Sequence, residues 1–492
     1  MRFSIKYTLL IVAGAVLTLS SCSKWLDVSP KTQVREDKQF STRQGFIDAL
    51  FGMYQLAAGD SLYGRNLTFG AIDVLAGRYE NKASGLYWGY WARATYTNTV
   101  IGANLDAEFT VAGMWGGSYQ LIAQANYILK NIEGKQSMLG GEAYNIIKGE
   151  SLAFRGFQHF ELLRMFAPAY LNGQNAATKA IPYMSAFTIN PQEAESMDAV
   201  LGKAEQDLLA AHELLAVNTN IDQIADNQGS VSLDLFTMYR QNHLNYWAVK
   251  AALARLYLYK GDKINALKYA REVIQSNKFR FIASSELNAD PAALASDLTF
   301  SREHIFSVYS SGLRRHAEDF FKPAPLARDD NRDLYSTLTK MNAAYESSLP
   351  GYGTDIRLPD ARILWTAANA SGFIYTKKYY NDNPDNVKQK LVPVMRLPEM
   401  YYIAAEASAT ADEGLVFLNQ VRTARGLPAL TSSGNLNAEI GKEYRKEFYG
   451  EGQYWFYLKR TNATTVPDGV AGTMTQAKYT FPMPLAQIEF GK

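Results

Sequence analysis

The fold is decided by one stretch, Asn242–Gln275, which reads NHLNYWAVKAALARLYLYKGDKINALKYAREVIQ. Its apolar residues recur every three or four positions on both sides of Gly261-Asp262, which predicts two α-helices joined by a tight turn. The carboxylate of Asp262 can cap the second helix. Large side chains on the first helix face Ala266 and Ala270 on the second, so the two helices can pack closely. This pattern is typical of a tetratricopeptide-type helical hairpin.

Two further helical pairs follow from the same spacing. Residues 115–129 and 143–166 each carry an apolar stripe, with Gly140-Gly141 between them and Pro168 as the expected stop. Residues 395–409 and 412–424 form a later pair. The pairs lie far apart and their similarity is loose, which favours helical hairpins separated by long insertions over a regular solenoid. We therefore expect an all-α fold.

The insertions between these pairs have little helical periodicity. Residues 170–191 are polar and contain two prolines, and residues 276–386 are rich in Gly, Pro, Asp and Tyr. Loops this long in a compact protein are usually functional, because a rigid scaffold holds them at the surface. We expect them to form a loop-rich binding face.

The N-terminus has the order of a lipoprotein export signal. Arg2 and Lys6 form a basic start, residues 7–19 form an apolar run too short for a comfortable membrane span, and small residues precede Cys22. Cys22 is the only cysteine and stands at the expected cleavage point, so we expect it to carry a diacylglycerol and acyl chains that anchor the protein. The alternative is a plain signal peptide with a chance cysteine.

These features predict the domain limits. We expect a signal peptide at 1–21, a lipidated tether at 22–43 and a single helical domain at 44–492, with an N-terminal part of about 44–220 and a C-terminal part of about 221–492. Loss of Arg2 and Lys6 from the 50 basic residues leaves 48 against 48 acidic ones. A balanced body has no electrostatic attraction for nucleic acid or acidic lipid. It also has no second cysteine for a disulfide or a zinc-thiolate site.

The motifs of enzymes and metal sites that can be recognised in this chain are incomplete. A zincin motif begins at His212 but lacks its second histidine, and a nucleophile elbow begins at Gly116 but has Gln120 where glycine is needed. A calcium loop begins at Asp329 but has Lys340 in place of the bidentate glutamate. We therefore expect a protein that is not an enzyme and that uses no cofactor and no metal.

Two groups of polar residues have a structural interpretation. Glu443, Glu447 and Glu451 are spaced to share one helix face, whereas a glycosidase needs two carboxylates facing each other across a bond, ~5 to 9.5 Å apart. We expect ion pairs that hold the final helix to the body. His159 lies between Phe157 and Phe160, and we expect it to be packed and hydrogen-bonded.

Aromatic residues are the strongest binding candidates. Flat rings can stack on the C–H face of a sugar while nearby polar groups bind its edge; the alternative is that the rings fill a core. The first candidates, which crowd one short segment, are Tyr87, Trp88, Tyr90, Trp91 and Tyr96. A second group comprises Tyr309, Arg314, Arg315, Tyr352 and Trp365. In this second group, Gly351 and Gly353 can expose the Tyr352 ring on a tight loop. Arg314 and Arg315 can bind acidic sugar groups through paired hydrogen bonds. The alternative is that this region is structural, as the neighbouring Asp355 and Arg357 pair would indicate.

Several segments together resemble the SusD/RagB family of surface lipoproteins from Bacteroidota. They include CSKWLDVSP at 22–30, RLPEMYYIAAEA at 396–407 and FPMP at 481–484. The other matching segments are 40–54, 119–132, 141–160, 181–183, 251–274, 418–428 and 443–460. The family usually has His-Arg where this chain has Gln453-Tyr454, and Asp where it has Tyr457.

The resemblance implies an all-helical SusD-like fold with tetratricopeptide-like units and a loop-rich binding face. It also implies an outer-membrane lipoprotein, facing the cell exterior, that passes glycan to a SusC-like TonB-dependent transporter. Two alternatives remain: peptide as the ligand, as in RagB-like members, or a helical-barrel glycoside hydrolase with an aromatic cleft.

Overall fold

The computed structural model describes residues 36–80, 88, 91, 105–221, 234–323, 332–361, 363–469 and 471–491. The α-helices are α1 (Glu36–Gln39), α2 (Arg43–Ala57), α3 (Ala71–Leu75), α4 (Leu105–Ile132), α5 (Gln136–Leu139), α6 (Gly141–Phe166), α7 (Met197–Leu215), α8 (Leu235–Met238), α9 (Tyr246–Lys260), α10 (Lys263–Gln275), α11 (Leu313–Phe320), α12 (Leu338–Ala344), α13 (Leu397–Ala407), α14 (Ala411–Ala424), α15 (Leu436–Glu447), α16 (Gln453–Arg460), α17 (Gln476–Tyr479) and α18 (Leu485–Phe490). The strands are β1 (His304–Tyr309), β2 (Ser336–Thr337), β3 (Phe373–Ile374) and β4 (Leu391–Arg396).

The stretch that decides the fold is the hairpin α9–α10, as its spacing predicts. Asn245 caps α9 by accepting hydrogen bonds from the backbone N–H groups of Trp247 and Ala248, and Asp262 caps α10. Gly261 between the helices has a φ of +84°, and a Cβ there would lie 2.2 Å from the side-chain oxygen of Asn172. Both the left-handed backbone and the close approach therefore require glycine.

The predicted pair at 115–129 and 143–166 lies within α4 and α6, which pack against each other. The buried helix α6 also carries Gly149 and Gly156, and Cβ atoms there would meet Leu215 at 2.7 Å and the carbonyl of Ala204 at 2.8 Å. These glycines let α7 approach α6 closely. Pro168 follows one residue after the cap of α6, as expected.

The third pair is α13–α14, close to its predicted limits. Contacts join α4 to α6, α6 to α7, α7 to α9, α9 to α10, α10 to α13 and α13 to α14, so the hairpins stack in chain order. The all-α expectation is confirmed. In the described part of the chain, no helix combines the length and apolar character needed to cross a membrane.

The long insertion at 276–386 contains more regular structure than its sequence indicates. β1 pairs antiparallel with β4, with His304 opposite Arg396 and Tyr309 opposite Leu391. β2 also pairs antiparallel with β3. In the chain, α11 lies between β1 and β2, and α12 lies between β2 and β3. The β1–β4 pair connects the insertion to the start of α13 and fixes where α11 begins.

A network of ion pairs lies in the core beneath α15. Its members, all buried, are the acids Glu303, Asp355, Glu443, Glu447 and Glu451 and the bases Arg357, Lys378, Arg396, Arg422, Arg425 and Lys446. The prediction that Glu443, Glu447 and Glu451 form ion pairs is confirmed. The prediction that they share one helix is wrong for Glu451, because α15 ends at Glu447 and the φ angles of Gly450 and Gly452 are positive.

His159 is packed and hydrogen-bonded, as predicted. Its Nδ1 bonds to the carbonyl of Arg155 at 2.8 Å, its Nε2 accepts from the backbone N–H of Met184 at 2.9 Å, and its ring stacks on Tyr183. Burial lowers the pKa of His159 to about 3, so the ring is neutral at physiological pH.

Candidate functional site

The candidate site is the outer face of α11, which carries Arg314 and Arg315 of the second predicted group. α11 is amphipathic: Leu313, His316, Ala317 and Phe320 are buried, and Arg314, Arg315 and Glu318 point outward. The short connection after β1 places the exposed ring of Tyr309 four residues before the helix. We use the name α11 face for Arg314, Arg315 and Asp60 together with Tyr309, which precedes the helix in the chain.

Asp60 joins the α11 face from a distant part of the sequence. Its carboxylate accepts a hydrogen bond from His316 Nε2 at 2.7 Å and lies 3.5 Å from Arg65 and 3.9 Å from Arg315. Burial raises the pKa of Asp60, but the His316 hydrogen bond and the two arginines outweigh it, so the pKa is lowered below 3.8. Asp60 is therefore ionised at neutral pH and presents an acceptor beside a guanidinium donor.

The exposed members of the α11 face keep much of their surface accessible. The Tyr309 ring is 52% exposed, with the Lys390 ammonium 5.9 Å from its centre. Arg314 pairs with Glu318 at 3.2 Å, one helical turn away. The Arg315 side chain is 71% exposed. Guanidinium donors and a carboxylate acceptor therefore lie together at α11, and an exposed aromatic ring lies at the end of the strand that precedes this helix.

Trp88 connects the first predicted group to this helix. Its ring packs edge-on against Phe320 at 5.5 Å, and its Nε1–H donates to the carbonyl of Arg332 at 2.9 Å. Trp91 packs edge-on against Phe481 at 6.0 Å. Both indoles are buried, which favours the core-filling alternative for these two rings and leaves no accessible face for a sugar.

The remaining members of the first group lie outside the described residues. These are Tyr87, Tyr90 and Tyr96, and the same holds for the lipidation candidate Cys22. Because these tyrosines lie outside the described residues, a ligand role for them stays a prediction.

Tyr352 and Trp365 do not join the α11 face. The expected turn forms at Gly351, with a φ of +80°, but the Tyr352 ring points inward, and its hydroxyl accepts from Arg422 at 3.0 Å. Trp365 is buried and its Nε1–H donates to the carbonyl of Arg357 at 2.9 Å. The predicted exposure of the Tyr352 ring is therefore wrong, because the buried Arg422 binds its hydroxyl. Asp355 and Arg357 form a buried ion pair, so the structural interpretation of this region is correct.

Sequence reasoning missed Asp60 and His316. Asp60 lies more than 250 positions before α11, and nothing in its local sequence indicates a binding role. His316 is recognisable only once the helix period of α11 is known, because it lies on the buried side of a helix within a loop-rich insertion. Among the described residues, no group of three or more His, Asp or Glu side chains is placed to hold a metal ion.

Comparison with known proteins agrees with this architecture. A family model described as "Starch-binding associating with outer membrane" matches residues 24–258, and the SusD family model matches residues 336–487. A SusD-like protein of Formosa agariphila is 24% identical, over 98% of this chain and 96% of its own length. A SusD-like protein of Bacteroides ovatus is 23% identical, over 93% of this chain and 82% of its own.

Solved structures show the same fold. A SusD superfamily protein from Bacteroides thetaiotaomicron matches with a TM-score of 0.66 at 20% identity, over 91% of this chain and 98% of its own. A putative sugar binding protein from Bacteroides vulgatus matches with a TM-score of 0.67 at 18% identity, over 92% and 97%. The two family models together match most of the chain, and the solved SusD structures share its fold. The chain therefore belongs to the SusD/RagB family.

Proposed function

We propose that this protein is a lipid-anchored, outward-facing outer-membrane binder of glycans that catalyses no reaction and passes its ligand to a SusC-like TonB-dependent transporter. The observation that carries the proposal is the exposed polar surface at α11, where the Arg315 guanidinium lies beside the Asp60 carboxylate. The helix α11 presents the guanidinium groups of Arg314 and Arg315 to solvent. The Asp60 carboxylate lies 3.9 Å from Arg315, and the exposed Tyr309 ring lies at the end of β1, four residues before the helix.

The chemistry of the α11 face suits a sugar. The Tyr309 ring can stack on the C–H face of a pyranose, Arg315 can donate to hydroxyl or carboxyl oxygens, and Asp60 can accept from hydroxyl groups. The family description and the sugar-binding designation of one structural relative support glycan as the ligand class. Anchoring at Cys22 would keep the captured glycan close to the transporter.

The test is a glycan array probed with purified mature protein, followed by titration of the glycans that bind. Stacking by one ring is worth about 0.5 to 1.5 kcal/mol, so Tyr309→Ala is expected to weaken binding about three- to tenfold. Tyr309→Phe is the matched control, because it keeps the ring and removes only the hydroxyl. Equal weakening by both variants, or by neither, would contradict a stacking role.

Two alternatives are decided by the same preparation. Arg314 and Arg315 also suit the carboxylates of a peptide, so a peptide array is probed in parallel. Binding of peptides alone would replace glycan by peptide as the ligand class. Release of reducing sugar during incubation with a bound polysaccharide would contradict the non-catalytic part of the proposal.

The anchoring and delivery parts have their own measurements. Cys22→Ser is expected to release the protein from the membrane fraction. Isolation of the wild-type protein from membranes is expected to recover a TonB-dependent transporter with it. A surface-attached Cys22→Ser variant would contradict the anchor.

A further inference from the structure

A groove of about 480 Å³ lies between α4, the segment 182–192 and α18, and none of the residues that line it belongs to the α11 face. Trp115 and Tyr119 of α4 line it, with ring centres 5.0 Å apart. Phe187 and Ile189 form its outer edge and are 41% and 89% exposed. Large exposed apolar side chains around a concave surface indicate a binding site.

The sequence of α4 explains why a groove forms here. The helix faces it with positions 112, 116, 119, 123 and 126, which step by four, three, four and three residues and form one stripe. Three of these positions are small, namely Ala112, Gly116 and Ala123. A Cβ built on Gly116 would have no neighbour within 4 Å, so the groove is open where the helix lacks side chains.

The opposite wall is held in place by four hydrogen bonds. Tyr119 donates to the carbonyl of Pro182 and Asn126 donates to the carbonyl of Met184, both at 2.8 Å. The backbone N–H of Met184 donates to His159 at 2.9 Å, and Arg155 donates to the carbonyl of Ser185 at 2.8 Å. The wall is therefore fixed before any ligand arrives, which reduces the entropy cost of binding.

The lining chemistry selects the class of ligand. Among the described residues, none of those lining the groove is charged, and the polar ones carry amide or hydroxyl groups: Asn126, Thr188, Asn190, Gln192 and Gln487. Amide groups both donate and accept, as sugar hydroxyls do. A charged ligand would lose hydration here without meeting a counter-charge, which costs free energy. A saccharide without charge meets aromatic faces and amide edges together.

We infer that this groove is a second glycan-binding site, separate from the α11 face, which takes an uncharged saccharide. The inference rests on the proposed function only in taking glycan as the ligand class. Peptides fit the groove less well, because their termini and charged side chains would find no partner in its lining. The two sites differ in charge, so one chain would bind both the neutral and the acidic parts of a mixed glycan.

Gly116 allows a direct test. Gly116→Leu adds a side chain at a position of the groove where a Cβ has no neighbour within 4 Å outside the adjacent helix backbone, and leucine favours helix over glycine. Gly202→Leu on α7 is the matched control, since a Cβ there also has no neighbour within 4 Å and Gly202 does not line the groove. Thermal unfolding of both variants is expected to occur at or above the wild-type temperature.

The readout is an array of uncharged, uronate-containing and sulfated oligosaccharides, probed with the wild type and both variants. Gly116→Leu is expected to weaken binding of uncharged oligosaccharides by about tenfold or more, while Gly202→Leu leaves it unchanged. Three outcomes would each overturn the inference while leaving the α11 face intact. They are unchanged binding by a folded Gly116→Leu variant, equal weakening for charged and uncharged oligosaccharides, and loss of peptide binding instead. Failure of the wild type to bind any glycan would overturn both proposals.

Discussion

Replacement of Glu447 by glutamine tests how the buried network beneath α15 stabilises the fold. The Glu447 carboxylate accepts hydrogen bonds from Arg357 at 2.8 Å, from Arg396 at 2.7 Å and from Arg425 at 2.7 and 2.9 Å. All four side chains are buried, so water cannot replace a lost partner. Glutamine keeps the shape of the side chain, but it removes the charge and offers one acceptor oxygen in place of two.

The size of the effect follows from this geometry. Removal of one partner from a buried ion pair costs about 3 to 5 kcal/mol, because the opposite charge stays buried and uncompensated. Unfolding entropy is about 2.1 cal/mol/K per residue, or about 1 kcal/mol/K for a chain of this length, so Tm is expected to fall by about 3 to 5 °C. Burial raises the pKa of Glu447, but the three arginines lower it well below 4.5.

Calorimetry at pH 7 and pH 5 measures both parts of this prediction. Because the folded-state pKa is lowered, the stabilisation is present above the unfolded pKa of about 4.3 and is lost as the pH falls through the folded value. The Glu447→Gln deficit is therefore expected to be the same at both pH values. Glu318→Gln is the control, since its exposed pair with Arg314 is worth about 1 kcal/mol or less. A similar Tm for the two variants would show that the buried network does not stabilise the fold through Glu447.

Three further outcomes are expected. Trp88→Ala removes a buried indole and costs about 3 to 5 kcal/mol, so its Tm falls in the absence of any glycan; an unchanged Tm would show that the ring is not packed. Gly261→Ala forces a φ of +84° on a residue with a Cβ and brings that Cβ against Asn172. The free energy of unfolding in urea is therefore expected to fall by more than about 1 kcal/mol, and an unchanged value would contradict the turn. Burial lowers the pKa of His159 to about 3 and that of His304 to about 4. Their contribution to stability is therefore full above pH ~6.5, and below that pH it falls by up to about 1.4 kcal/mol per pH unit for each histidine. His159→Phe is expected to reduce this slope in the free energy of unfolding, and an unchanged slope would contradict the prediction.

The helical hairpins could be predicted because their signals are local. Spacing, caps and the turn at Gly261 all lie within one stretch of sequence, and the observed ends of α13 and α14 differ from expectation by at most two residues. The β1–β4 pair could not be predicted, because its strands are more than 80 residues apart and β1 is buried on both faces for most of its length, so it shows no alternation.

The candidate site was only partly predictable, because ring exposure depends on tertiary packing. The turn at Gly351 forms as expected, yet Arg422, from a helix about 70 residues later, draws the Tyr352 hydroxyl inward. Trp88 and Trp91 have the composition of a sugar platform but pack against Phe320 and Phe481. Sequence indicates which residue types are present, whereas the partners that bury them come from distant segments.

The departures from the family pattern have a structural explanation. Gln453, where the family usually has histidine, is buried and accepts a hydrogen bond from Arg164 at 3.1 Å. Tyr457 stacks on Tyr444 at 4.4 Å. These positions pack α16 against the body, and they lie outside both the α11 face and the groove.

The proposed function requires that the protein bind glycan without changing it. The most direct measurement is titration of the purified mature protein with an oligosaccharide identified on the glycan array, with analysis of the sugar after incubation. We expect saturable binding that Tyr309→Ala weakens, and recovery of the oligosaccharide intact. Binding that is indifferent to Tyr309→Ala and Gly116→Leu alike, or shorter oligosaccharides after incubation, would contradict it.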